Sequence, residues 1–190
     1  IVLNMARLTS WKGQEVLIKA ICSESLKGHG DALFILAGDD QGRSGYRQHL
    51  QEMIDQRQAG ERIRLVGHCE DVAAAFALAD ISVVASTSPE AFGRAAVESQ
   101  ALGVPVVVTA LGAVPETVLA PPQVGPEKRT GWHVPPDDPG ALASAIGHAL
   151  SLTEAERQAM ASRAMAQAAR FSLPAMTGQT LALYRSVIDG

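Results

Sequence analysis

Two carboxylates, Glu90 and Glu98, bracket a glycine, Gly93, in the stretch Ser86-Thr-Ser-Pro-Glu-Ala-Phe-Gly-Arg-Ala-Ala-Val-Glu98. The stretch follows an apolar run, Ile81-Ser-Val-Val-Ala85, and opens an expected helix that reaches about Leu102. A glycine at a helix mouth lets a ligand approach the backbone, because no Cβ stands in the way. The unbonded N–H groups of a helix N-terminus favour anions, phosphate above all. The local chemistry is therefore that of a phosphate site with a carboxylate on each side. Two cations, Arg7 and Lys12, flank the turn after the first apolar run. Arg would grip a diphosphate through its planar fork and Lys as a point charge.

Each of these residues also has a plainer explanation. Glu98 could pair with Arg94 one turn earlier, although that order of charges is the less favourable one on a helix. Ala95, Ala96, Val97, Ala101 and Leu102 predict a largely buried helix, where Glu98 would need specific donors such as ribose hydroxyls. Glu90 could simply cap the N–H groups of Phe92 or Gly93. Arg7 and Lys12 could be ordinary surface cations. His29, His49 and His148 lie in polar contexts and are given no role, and His68 and His133 read as loop residues near strand ends. Asp39-Asp40 and Asp137-Asp138 are adjacent pairs without the Asp-x-Asp spacing, and read as turn and cap residues. No cluster has metal-ligand spacing. No dinucleotide fingerprint, P-loop or nucleophile elbow is present.

The elements that must position these groups alternate between strand and helix. Apolar runs at about 1–6, 32–37, 63–66, 81–85, 104–109 and 131–134 read as six buried strands. Helical patterns occupy about 14–25, 46–58 and 72–78, the stretch up to Leu102, and a short segment from Gly112. Asp71 is the expected N-cap of the helix that begins at Val72. Three more helices follow, at about 139–151, 154–170 and 174–188, and residues 120–130 read as a surface insertion. This alternation predicts an α/β fold, a Rossmann-like doubly wound parallel sheet of about six strands. Such sheets bind ligands beyond the carboxyl ends of their strands. Arg7, Lys12, Gly38, the His68-Cys69-Glu70-Asp71 loop, Glu90 to Gly93 and Gly112 all fall at that end.

Composition bounds the rest. The 190 residues suit one domain, 1–190; 47% are hydrophobic but only 4% aromatic, which fits small aliphatic side chains packed on a parallel sheet. A net charge of -4 without a Lys/Arg run argues against nucleic acid as a partner. No apolar run is long enough for a transmembrane segment. Cys22 and Cys69 have no redox or metal spacing, so a reducing compartment, the cytoplasm, is expected. The chain opens within an apolar run, as a strand cut from a longer protein would.

Ser88-Pro-Glu-Ala-Phe-Gly-Arg-Ala-Ala-Val-Glu-Ser-Gln-Ala-Leu-Gly-Val-Pro-Val-Val-Val-Thr-Ala110 resembles the Glu-x7-Glu signature of family 4 retaining glycosyltransferases of the GT-B fold. Arg7-x4-Lys12-Gly13, Leu36-Ala-Gly38, Leu65-Val-Gly67, Ala79-Asp-Ile-Ser-Val83 and Gly131-Trp-His-Val-Pro-Pro-Asp137 are similar to the family's other segments, in the same order. The resemblance implies the C-terminal, donor-binding half of a two-domain enzyme, whose N-terminal domain, which mainly holds the acceptor, is absent from this chain. It implies a nucleotide-sugar donor, UDP-, GDP- or ADP-linked, and neither a metal nor another cofactor. Arg7 and Lys12 would hold the diphosphate as it leaves. Glu90 would meet the donor sugar, Phe92, Gly93 and Arg94 would offer backbone N–H groups, and Glu98 would take the ribose. Gly38 and the loop of His68, Cys69 and Asp71 lie where the family binds the donor, the loop on its base. The setting implied is glycan or lipopolysaccharide synthesis, with a membrane lipid or growing glycan as acceptor and the full-length protein at the inner face of the membrane. The final helix, about 174–188, would reach back to the other domain, and the fragment alone would not transfer sugar. Two departures stand out: Gly112-Ala113 replaces the family's Gly-Gly, and the 120–130 insertion is long. A sugar-nucleotide epimerase, a phosphorylase-like protein or a non-catalytic binding module could share the fold. Phe92-Gly93 between the two glutamates favours the transferase, and nucleotide binding separates it from an inert module.

Overall fold

The computed structural model describes residues 1–42 and 44–188; Arg43, Asp189 and Gly190, within the expected 1–190 domain, lie outside the described residues. Six strands form one sheet: β1 Val2–Met5, β2 Phe34–Ala37, β3 Ile63–Gly67, β4 Ile81–Val84, β5 Val106–Thr109 and β6 Gly131–Val134. All pairings are parallel, in the order β3-β2-β1-β4-β5-β6. The chain lays down β1 to β3 in one direction, then returns to the other side of β1 for β4 to β6. That reversal leaves a crevice above the carboxyl ends of β1 and β4. Most strands carry little but aliphatic residues because both faces of the sheet are covered. On β5, Val107 packs into the core of one face, while Val106 and Val108 pack into the other.

Helices α1 Gln14–Ile21, α2 Ser44–Gln56, α3 Val72–Ala77, α4 Arg94–Ala101, α5 Val114–Thr117, α6 Pro139–Leu150, α7 Glu154–Ala169 and α8 Leu173–Ile188 connect and follow the strands. One face of the sheet is covered by α1, α2 and α6, whose Leu17, Ile21, Leu50, Ile54, Leu142 and Ile146 are buried. On the other face Ala96 of α4 and Val114 of α5 pack on β5, and Phe76 of α3 packs on Leu3 and Ala37. Asp71 and Asp138 cap α3 and α6, accepting from the N–H groups of Ala74 and Ala141 at 2.9 and 2.8 Å.

The expected elements are present, with shifts at their ends. The first helix stops at Ile21 rather than near residue 25, and a 3-10 run, Glu24–His29, takes over. Strand β5 begins at Val106, and the Pro105 carbonyl instead receives the Ser82 N–H at 2.9 Å. The 120–130 segment is a closed loop. Thr130 Oγ1 accepts from the Leu119 N–H at 2.9 Å, and the Thr130 N–H donates to the Leu119 carbonyl at 2.8 Å. Its ends, Ala120 and Thr130, are buried, while most of what lies between is exposed. His133 is half-buried on β6; its Nε2 lies 2.7 Å from the Val118 carbonyl, so that nitrogen carries the proton. Burial pushes its pKa down, against the opposing pull of that hydrogen bond. It has a structural partner and lies away from the crevice.

One helix stands apart. α8 buries none of its side chains, and Leu173, Met176, Leu181, Leu183, Tyr184, Val187 and Ile188 are all exposed. Leu181, Tyr184 and Ile188 recur at the spacing of a single helical face.

The loop carrying Lys12 lies hard against β4. Gly13 has φ +69°, and a Cβ there would come within 1.8 Å of the Ala85 carbonyl oxygen. Gly13→Ala is expected to lower unfolding free energy by about 3 kcal/mol, combining left-handed strain with overpacking. Urea denaturation checks this, and a loss below about 1 kcal/mol would contradict the close packing.

Candidate active site

A cavity of about 980 Å³ opens at the carboxyl end of the sheet, where β1 and β4 diverge. Met5, Ala37, Val84 and Phe76 contribute its apolar walls. The loop after β1 supplies Arg7, Trp11 and Lys12, the loops after β2 and β3 supply Gly38, His68 and Cys69, and the segment after β4 supplies Glu90 through Ala95 with Glu98. Ten of the eleven residues to which the resemblance gives a donor-site role thus line one cavity: Arg7, Lys12, Gly38, His68, Cys69, Glu90, Phe92, Gly93, Arg94 and Glu98. Asp71 does not. Its carboxylate is committed to capping α3, and only its carbonyl faces Cys69, whose Sγ lies 3.5 Å away.

The centre of the site is an ion pair. Lys12 Nζ contacts Glu90 Oε1, with 16% and 11% of the two side chains exposed. The ammonium also lies 4.3 Å from the centre of the Trp11 ring, a cation–π distance. The same Glu90 oxygen accepts from Ser86 Oγ at 2.5 Å, the length of a charge-assisted bond. The backbone of Glu90 is fixed as well: it bridges to Gly112, and its carbonyl receives the Ala113 N–H at 3.0 Å. The residue that departs from the expected Gly-Gly therefore holds Glu90 through its backbone.

Helix α4 points its N-terminus at the cavity. Gly93 is its N-cap, with φ +80°, a left-handed conformation that a side chain would strain. Among the described residues no side chain caps the helix; the Ala96 N–H donates to the Gly93 carbonyl at 3.0 Å, which leaves the N–H groups of Arg94 and Ala95 without a partner. Arg94 and Glu98 lie along the exposed side of this helix. The expectation of a largely buried α4 is corrected: only Ala96, Ser99 and Gln100 are buried, and Glu98 is exposed. Small alanines allow close packing on one side without covering the other. Glu98 has no hydrogen-bond or ion-pair partner among the described residues, so the pairing with Arg94 does not form.

Phe92 is 38% exposed at the cavity lip and meets Phe171 edge-on, with ring centres 5.7 Å apart. Arg7 is exposed, with Nη1 3.5 Å from Gln41 Oε1. Sequence reasoning passed over Trp11, Ser86 and the apolar floor. Trp11 stands next to Lys12 and Ser86 opens the Glu90 stretch, so both were in view. Their roles emerge only once the two loops meet. Among the described residues, no group of three or more His, Cys, Asp or Glu could hold a metal ion, and no helix is long and apolar enough to cross a membrane.

A doubly wound parallel sheet with cations, a helix N-terminus and carboxylates gathered at its switch point defines a Rossmann-like domain. The chain belongs to the family Glycosyl transferases group 1, which it matches over residues 1–167. It is 30% identical over 187 residues to a D-inositol 3-phosphate glycosyltransferase of Corynebacterium urealyticum, covering 96% of this chain and 42% of that one. Its fold is similar to a glycosyltransferase from Rickettsia africae, with TM-score 0.88, 30% identity, and 98% and 47% of the two chains covered. It is also similar to Anabaena Alr3699/HepE, crystallised with UDP, with TM-score 0.83, 28% identity, and 97% and 48% covered. The chain spans less than half the length of each of these proteins. The sheet corresponds to the C-terminal Rossmann-like domain of GT-B glycosyltransferases.

The ion pair sets up a test of its own. Lys12→Met alone leaves the mostly buried Glu90 carboxylate without its cation, and is expected to cost about 1–3 kcal/mol of stability. Adding Glu90→Gln should recover part of that loss. Urea melts of the two single variants and the double variant decide it: strictly additive losses would show that the two side chains are not coupled.

Proposed function

We propose that this chain is the donor-binding domain of a retaining glycosyltransferase that moves a sugar from a nucleotide-sugar to an acceptor in glycan or lipid-linked glycan synthesis. The observation that carries the reading is the convergence of Lys12, Glu90 and the uncapped N-terminus of α4 on one cavity at the β1/β4 switch point. A diphosphate there meets Lys12 and Arg7 from one side and the N–H groups of Arg94 and Ala95 at the start of α4 from the other. Glu90 faces the sugar, and the exposed, unpaired Glu98 takes the ribose hydroxyls. His68 and Cys69 border the base. Asp71 serves this loop only by capping α3.

In this reading the bond between the anomeric carbon and the diphosphate oxygen breaks, and its electron pair goes to the diphosphate. Arg7 and Lys12 offset the charge that develops, a role that preorganised cations fill without a metal or other cofactor. The acceptor hydroxyl attacks the face that the diphosphate leaves and gives its proton to the departing phosphate oxygen, which preserves the anomeric configuration. UDP is the first nucleotide to test, because HepE, 28% identical, was crystallised with it. The acceptor, a glycan or membrane lipid, belongs to the N-terminal domain of the same cytoplasmic protein, and the exposed apolar face of α8 suits contact with that domain.

Calorimetric titration of this chain with UDP, GDP and ADP tests the proposal. One of them, UDP first, is expected to bind saturably. Arg7→Ala and Glu98→Ala should each weaken that binding by about ten-fold, the value of one charge-assisted contact. Absence of binding by all three in a folded sample overturns the donor-site reading. Without the acceptor domain, the bound nucleotide-sugar is expected to show no sugar transfer in a product assay, and any transfer by residues 1–190 alone would refute the division of labour.

A further inference from the structure

Ser86 is fully buried, yet its hydroxyl points at the one carboxylate oxygen that also holds Lys12. Its own backbone is tied down from the neighbouring strand: Thr109 Oγ1, on β5, donates to the Ser86 carbonyl at 2.7 Å. One residue on, the Thr87 N–H donates to the Trp11 carbonyl at 2.8 Å, which locks the segment to the Lys12 loop. Ser86 is therefore a fixed donor, whereas the flexible Lys12 side chain is a movable one.

Lys12 and Glu90 neutralise each other across their ion pair. A diphosphate competes for the Lys12 ammonium, since its two phosphoryl groups together carry more charge than a single carboxylate. Glu90 then loses its cation at the moment the donor arrives. A carboxylate held by Lys12 alone would be free to turn away or to follow the ammonium toward the phosphate, where like charges repel. The hydroxyl of Ser86 stays, and so does the Ala113 N–H on the Glu90 carbonyl.

We propose that Ser86 is the positioning residue that holds the Glu90 carboxylate toward the donor sugar after Lys12 has been drawn to the diphosphate. One oxygen, Oε1, remains on Ser86, which leaves Oε2 to accept from a sugar hydroxyl. The residue acts through Glu90 and touches no part of the nucleotide. The inference rests on the donor-site reading and adds to it a division between the two carboxylate oxygens.

The readout is the preference for a nucleotide-sugar over its nucleotide. The dissociation constants of UDP and of UDP-glucose, UDP-galactose and UDP-N-acetylglucosamine are measured on residues 1–190, and the sugar that most improves on UDP is kept. Ser86→Ala is expected to leave UDP affinity within about two-fold and to reduce the preference for the UDP-sugar by about five-fold, the value of one lost hydrogen bond. In a Glu90→Ala background, Ser86→Ala should produce no further change in that preference. Equal weakening of both ligands assigns Ser86 a purely structural role and overturns the proposal. An unchanged preference overturns it too, as does a parent chain that binds UDP but gains nothing from any sugar. Failure of the parent chain to bind any nucleotide removes the donor-site reading itself, and this inference with it. Ser86→Thr keeps the hydroxyl and is expected to retain the preference. Where Ser86→Ala fails to fold, judged by its thermal melt, the decision falls to Ser86→Thr and Thr109→Val. Thr109→Val frees the Ser86 carbonyl and is expected to lower the same preference without weakening UDP; no effect would count against the proposal.

Discussion

The site depends on β1 and β4 being neighbours. Lys12 and Glu90 lie 78 residues apart in sequence and meet because the sheet reverses direction between their strands. An ion pair that is mostly removed from water is favourable only when its geometry is held closely. The geometry here is held from several sides. Gly13 lets the Lys12 loop rest against the Ala85 carbonyl, and the Thr87 N–H binds the Trp11 carbonyl. Gly112 and Ala113 brace Glu90 from the strand beyond. The sheet supplies the adjacency, and the turns fix the two backbones from which the opposite charges reach each other.

The cavity gives those charges more leverage than the surface would. Met5, Val84, Phe76 and Ala95 line it beside Lys12 and Glu90, so the interaction runs through a medium less polarisable than water. Towards the rim the character changes. Arg7, Arg94, Glu98 and His68 are exposed and lack such support. The site therefore has a preorganised centre and an adaptable border.

Much of this was legible in the sequence because the decisive signals are local. Apolar runs of four to six residues between glycines and helical patterns define the strands, and their order places the loops after β1, β2, β3 and β4 at one end. The resemblance around Glu90 and Glu98 then identified the family. What could not be read depended on contacts between distant segments or on which way a helix faces. The alanines around Glu98 suggested burial, but Ala95 and Ala101 are small enough to sit at a margin, and Glu98 stands in solvent. Asp71 caps α3 as its place before Val72 predicts, and that commitment removes its carboxylate from the donor-binding set in which the resemblance placed it. Ser86 and Trp11 carry no distinctive spacing; each matters only through the partner that the fold brings to it.

α8 differs energetically from everything before it. Ordering a residue's backbone costs about 1–2 kcal/mol, and elsewhere in the chain burial offsets that cost. The sixteen residues of α8 have no buried side chain to do so, and in proteins most helical stability comes from packing an apolar face rather than from propensity. The last ring contact before α8 is at Phe171, which packs on Phe92. Any surface that settles on α8 must supply the free energy that orders it, which makes such an association weaker, and more readily reversed, than its apolar area alone would suggest.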